Sequence, residues 1–254
     1  MVELMNPSES RHIAVVMGGI CGERGVSIET GSCVSLNLLK AGHQVLPVCI
    51  HPDGNWEVGA PPQADSSANS WFSGKGQPAL SAMSRLGELE VDCIFNALHG
   101  PGGEDGIIQG FFRQAGIPFT GPDVTPAALT MDKALTKSVL NEAGIRTPRG
   151  FKFPSRSEAG DLEELNRWVL EKAASIPFPW ILKPNCLGSS VGIELFSTPQ
   201  DLAERAVEVS PSWLCEPGIP GSGFIAEELV EGRELTCGVL EADGRPPRAF
   251  SPIE

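Results

Sequence analysis

Tyrosine is absent from this chain of 254 residues, and cations are scarce: 19 lysines and arginines face 32 aspartates and glutamates, a formal net charge of -13. So acidic a chain excludes nucleic acid as its main partner, because a phosphate-backbone reader needs a basic stripe. The lysines it does have must act locally. Also missing are an apolar run of about 18 residues, the length that crosses a bilayer, and a basic segment leading into an apolar one at the start. The reading is therefore a cytoplasmic protein with no membrane partner. Seven cysteines, at 21, 33, 49, 93, 186, 215 and 237, form no C-x-x-C pair. Most lie in apolar runs, which fits free buried thiols in a reducing compartment better than disulfides or zinc. A hydrophobic content of 41% supplies a core for one or two domains.

An apolar run from Ile13 to Met17 ends in Gly18-Gly19 and is followed by Glu23, Val26 and Ser27. This predicts a buried strand, a glycine turn, and a helix to Lys40 with Ser27 as its N-cap and Glu29 in its first turn. Gly42 closes the helix, and Val45 to Ile50 forms the next strand. Strand, helix and strand at that spacing make a parallel crossover, so the first domain is expected to be a doubly wound α/β sheet. Residues 59 to 79, rich in Pro, Gly, Ser and Ala, read as a surface excursion exposing Trp71 and Phe72. A strand from Val91 to Phe95 runs into a loop from Asn96 to Gly106 that carries His99. Ligands in such folds gather at the carboxyl ends of the strands, where this loop and the Gly18 to Glu23 turn both lie. One helix is expected from an N-cap at Thr125 to Gly144. It bears Lys133 and Lys137 on one face, and Lys137 reads as an ordinary solvated residue. Another helix is expected over 158 to 174.

From Trp180 an apolar strand runs into Lys183, then a loop of small residues through Gly188, Ser189 and Ser190, then a second strand. Backbone N–H groups of such a loop can wrap an anion, so this is the build of a phosphate cradle. Alone, the stretch reads equally as a hairpin with a Gly-Ser turn. Phe224 to Leu240 predicts two strands joined by a turn. Glu227 and Glu228 are adjacent there and must point to opposite sides, so one of them should face a polar group.

Taken in order, several of these stretches resemble the D-alanine–D-alanine ligase family of the ATP-grasp superfamily. They are Gly18-Gly19 through Glu23, Val26 and Ser27; Ala97 to Gly100 and Gly103 to Gly106; Thr120-Gly121; Met131-Asp132-Lys133; Lys183-Pro184 and Gly188 to Gly192; and Glu227 through Glu234. The resemblance implies an N-terminal domain over 1–121, an α+β ATP-grasp central domain over 122–227, and the beginning of a C-terminal ATP-grasp domain over 228–254. It implies an enzyme that joins two D-alanines for peptidoglycan through an acyl phosphate, with ATP and Mg2+ or Mn2+, and a homodimer. Lys133, Lys183 and Ser190 would hold ATP phosphates, Glu227 to Leu229 the adenine by strand-edge hydrogen bonds, and Glu234 the ribose. Glu23, partnered by Ser189, would take the ammonium of the first D-alanine, with Val26 and His99 beside it.

The family pattern continues with a loop over the site, an oxyanion arginine and late acidic metal ligands that have no counterpart here, so no metal ligand is assigned. The expectation is a ligase chain that is weakly active or inactive alone. The alternative is a non-catalytic nucleotide- or amino-acid-binding remnant, or a subunit completed by a separate partner.

Overall fold

The computed structural model describes residues 9–63, 66–154, 158–188, 192–213, 223–241 and 245–254. Its first sheet is built from β1 (His12–Gly18), β2 (Gln44–Ile50), β3 (Trp56–Val58) and β4 (Cys93–Asn96), in the order β3-β2-β1-β4. β1 pairs in parallel with both β2 and β4, while β3 is an antiparallel edge. Ala14 to Met17 in β1 are wholly buried, as a strand covered on both faces must be. The pleat sends Ala14 and Val16 toward α2 (Ala79–Glu88) and α3 (Ile107–Gln114), onto Leu86, Ile108 and Phe112. Val15 and Met17 go the other way, toward Val34 and Leu38 of α1 (Arg24–Lys40). Gly31 allows that close approach, since a Cβ there would lie 2.6 Å from that of Met17.

Three local expectations change. The first helix begins at Arg24, so Ser27 lies inside it, and its hydroxyl bridges two strand ends instead of capping. Trp71 is buried: its ring joins the core on the α1 side, and its Nε1 donates to Ser66 Oγ at 2.7 Å. The described cysteines are all free, but Cys33 and Cys237 are exposed and only Cys49 is fully buried, its thiol pKa raised mainly by that burial.

The excursion after β3 is tied back by one carboxylate. Glu57, itself buried, accepts from Ser73 N at 2.5 Å, Ser73 Oγ at 2.7 Å, Gly74 N at 3.0 Å and the His51 ring at 3.0 Å. Burial pushes its pKa up, but the bonds from Ser73, His51 and Gly74 outweigh burial and hold it below the usual carboxylate value. A carboxylate with a depressed folded pKa stabilises above its unfolded value, about 4.3, and loses that contribution as pH falls through the folded one. Glu57→Gln is therefore expected to flatten the pH dependence of the urea midpoint below about pH 4.5 relative to the parent. A mutant curve parallel to the parent's in that window would contradict this account.

The second sheet is antiparallel, in the order β5-β8-β6-β7: β5 (Gly150–Lys152), β8 (Phe224–Glu228), β6 (Trp180–Pro184) and β7 (Glu194–Phe196). One face, with Trp180, Leu182 and Ala226, packs on Leu165 and Val169 of α6 (Leu162–Ala173) and Leu202 and Ala206 of α7 (Pro199–Trp213). α6 starts with a capping box in which Asp161 accepts from Glu163 N and Glu164 N. By register, the other face carries Lys152, Ile225, Glu227 and Lys183.

Before this sheet, the single helix expected over 125 to 144 is two. α4 (Val124–Met131) ends where Asp132 leaves helical geometry, and α5 (Lys133–Glu142) starts with the Asp132 carboxylate accepting from Leu135 N. The hairpin expected over 224 to 240 does not form either. β8 ends at Glu228, and β9 (Val239–Leu240) pairs with β10 (Arg248–Ala249) instead. Among the described residues no helix is long and apolar enough to cross a membrane.

Candidate functional site

Two loops meet at the carboxyl ends of β1 and β4. The turn after β1 delivers Glu23, the residue just before α1, and that helix then presents Val26 and Thr30 one turn apart. Val26 is 49% exposed, leaving its side chain open at the mouth. The loop after β4 brings His99 against the same helix, its Nε2 3.0 Å from Thr30 Oγ1, while Cys21 Sγ donates to its carbonyl at 3.2 Å. Gly100 has a φ of +67°, and any side chain there would run into the Glu23 carboxylate. The loop is braced internally: Gly100 N donates to Glu104 Oε2, and Asn96 and Gln109 both donate to Gly103 O.

The cradle strand reaches the same place from the second sheet. A side chain added at Gly188 would lie 3.4 Å from Glu23 Oε1, so the loop after β6 abuts the first-domain carboxylate. Ser189 and Ser190 lie outside the described residues. Asn185 is completely buried at the start of this loop, where its Oδ1 accepts from Ala134 N and its carbonyl from Lys133 N, fixing α5 to the end of β6. Lys133 Nζ donates to the carbonyls of Pro184, Asn185 and Leu187 at 3.1, 3.2 and 2.6 Å. Burial first, and then the charge of Lys183, lower its pKa. The Cys186 thiol is pushed up to about 11, chiefly by burial and next by Asp132, so it stays protonated.

Glu227 sits between two lysines. Its carboxylate pairs with Lys183 on the adjacent strand and with Lys137 of α5 at 2.6 Å, and the residue is only 5% exposed. Its neighbour Glu228 points the other way, to Arg149, whose backbone N–H and guanidinium hold the Glu228 pKa down. Both adjacent acids thus face polar groups.

Lys137 is accordingly not a solvated surface residue. Its spacing of one helical turn from Lys133 was the available signal. Lys152, 3.6 Å from Asp132, and Thr30 were likewise not singled out by the sequence.

The strand edge expected for adenine is not an edge. β8 is interior, paired with β5 and β6, and Leu229 N already donates to Pro179 O. Glu234 lies beyond the strand and is exposed. A cavity of about 840 Å3 opens beside these groups, lined in part by Lys137, Arg149, Lys152 and Ile225.

Fold and site together define an α/β protein in which Lys133, Lys137 and Lys183 lie near the place where the loop after β6 meets Glu23. Residues 12–122 match the family model for the D-Ala D-Ala ligase N-terminus, and residues 139–254 that for the D-Ala D-Ala ligase C-terminus. The chain is 32% identical to a D-alanine–D-alanine ligase of Moorella thermoacetica over 95% of its own length and 65% of that protein's. It is also 32% identical to one of Streptomyces avermitilis, over 98% of its length and 68% of the relative's. Among solved structures it is similar to the VanG D-Ala:D-Ser ligase of Enterococcus faecalis, with 29% identity and a TM-score of 0.73 over 96% of this chain and 69% of that one. The chain belongs to the D-alanine–D-alanine ligase family. It spans about two thirds of the length of these relatives.

Proposed function

We propose that this chain binds ATP and D-alanine and takes part in the ATP-dependent joining of two D-alanines through an acyl phosphate, for peptidoglycan. The observation that carries the reading is the meeting of Glu23, on the first sheet's loop, with the loop after β6, where Lys133 bonds, near Lys137 and Lys183, the two lysines that pair with the buried Glu227. Lys133 and Lys183 would neutralise phosphate oxygens, and backbone N–H groups of the loop through Ser189 and Ser190 would cradle them. Glu23 would take the ammonium of the first D-alanine, with Val26 and His99 around its methyl group and carboxylate. Adenine would be held where β8 ends, about Glu228 and Leu229, by groups other than their N–H donors, which already bond Arg149 O and Pro179 O, and the ribose by Glu234. We assign residues 1–121 to the amino-acid-binding domain, 122–227 to the central nucleotide-binding domain and 228–254 to the start of the next.

The family implies a divalent metal, which would balance charge on the phosphoryl group in transfer. Among the described residues no group of three or more His, Cys, Asp or Glu could hold one. The steps given to this chain are therefore binding and orientation, and alone it is expected to bind both ligands while releasing little phosphate. Calorimetry with a non-hydrolysable ATP analogue and with D-alanine, run beside phosphate release with Mg2+, tests this. Absence of binding of either ligand would overturn the reading, and brisk turnover would overturn the assignment of binding alone.

A further inference from the structure

Arg24 follows Glu23 directly, yet its side chain goes the opposite way. Glu23 reaches forward to Gly100 and Gly188, whereas the Arg24 guanidinium folds back under the turn. It donates to Gly19 O at 3.2 Å and to Ile50 O, and it approaches Cys49 Sγ at 3.4 Å. Ile50 O also accepts from Gly19 N at 3.0 Å, so one carbonyl at the end of β2 anchors both the start of the turn and the residue after it. The chain enters this turn through Gly18 and Gly19, at φ +94° and +108°, conformations that glycine enters and leaves at little cost. Glu23 caps the helix only by position, with no side-chain bond to the helix N–H groups, so the helix end does not orient its carboxylate.

We infer that Arg24 is a positioning residue for the amino-acid site: it pins the turn from Gly19 to Glu23 to the carboxyl end of β2 and thereby aims Glu23 at the substrate ammonium. This deepens the reading of Glu23 under Proposed function and rests on it. Arg24 Nη1 serves carbonyls of two separate segments while Nη2 meets the Cys49 sulfur, a planar spread of donors fixed by one guanidinium that a lysine ammonium does not reproduce. The role predicts a defect confined to the amino-acid side, since among the described residues the Arg24 side chain bonds Gly19, Ile50 and Cys49 and none of the three lysines.

The test uses Arg24→Met and Arg24→Lys in the whole chain. By hydrogen exchange, the amides of residues 19–23 in Arg24→Met are expected to exchange about tenfold faster than in the parent, with β1 and the body of α1 unchanged. By calorimetry, D-alanine affinity should fall about tenfold with that of the ATP analogue unchanged, and Arg24→Lys should lie between. Millimolar ethylguanidinium added to Arg24→Ala should restore D-alanine affinity, which a merely destabilised fold would not allow. Unchanged exchange in residues 19–23, or faster exchange spread over the whole first sheet, overturns the inference. If the parent itself does not bind D-alanine, the functional reading fails, while the exchange result still decides what Arg24 does.

Discussion

Glu227→Ala is expected to lower the stability of the protein by about 3 kcal/mol, because it strands two ammonium groups that now share one buried carboxylate. The figure sits at the low end for a broken buried pair, since the Lys137 and Lys183 side chains keep 20% and 25% of their surface in water and can turn outward. Glu227→Gln should cost less, as the amide oxygen still accepts from one lysine. Chemical denaturation of both variants beside the parent measures the difference. A Glu227→Ala protein as stable as the parent would mean that the lysines repel no more without the carboxylate than with it, and the cluster would then have no structural part.

Lys183→Ala should do the reverse, sparing stability and removing nucleotide affinity. Glu227 keeps Lys137 in this variant, so no buried charge is left alone. A charged hydrogen bond to phosphate is worth roughly 1.5–3 kcal/mol, which corresponds to an ATP dissociation constant raised about ten- to a hundredfold. Calorimetry with the ATP analogue, paired with a thermal melt, reads both quantities. Equal affinity for mutant and parent would remove Lys183 from the phosphate site. The contrast matters more than either value: one residue of a touching pair governs folding and the other governs binding.

What could be read from the sequence was whatever depended on local pattern. β1 and β2 announced themselves as unbroken apolar runs, and the helix between them ended where Gly42 takes a left-handed φ of +91°. The candidate residues of the first domain did converge, because glycine turns at the carboxyl ends of parallel strands can lead only to one side of the sheet. What failed needed distant partners. Ser27 looks like a cap until Gly18 N and Ala97 O compete for its hydroxyl, and Trp71 looks exposed until its segment folds back under Glu57. Lys137 reads as solvated because its partner is 90 residues away. The break at Asp132 was legible in principle, since aspartate is a strong N-cap, but the continuous helical pattern on either side hid it. The strand after Glu228 was misplaced for the same reason as the adenine edge: sequence neighbours suggest a hairpin, while β8 takes its partners from residues 150–152 and 180–184.

That choice of partners sets an order of events when the chain is made. The first sheet takes all its strands from residues 12–96, so it can close as soon as β4 leaves the ribosome. In the second sheet β5 pairs, among the described residues, with β8 alone, and Gly150 must wait for Glu227. At roughly 5–20 residues per second the delay lasts several seconds. During it α6 and α7 have only β6 and β7 to cover, and the edge of β6 that β8 will fill stays unpaired. The interval before β8 arrives is when this protein is most open to association with the wrong chain, and a chaperone that recognises unpaired apolar strands would find its target there, in the unfinished second sheet.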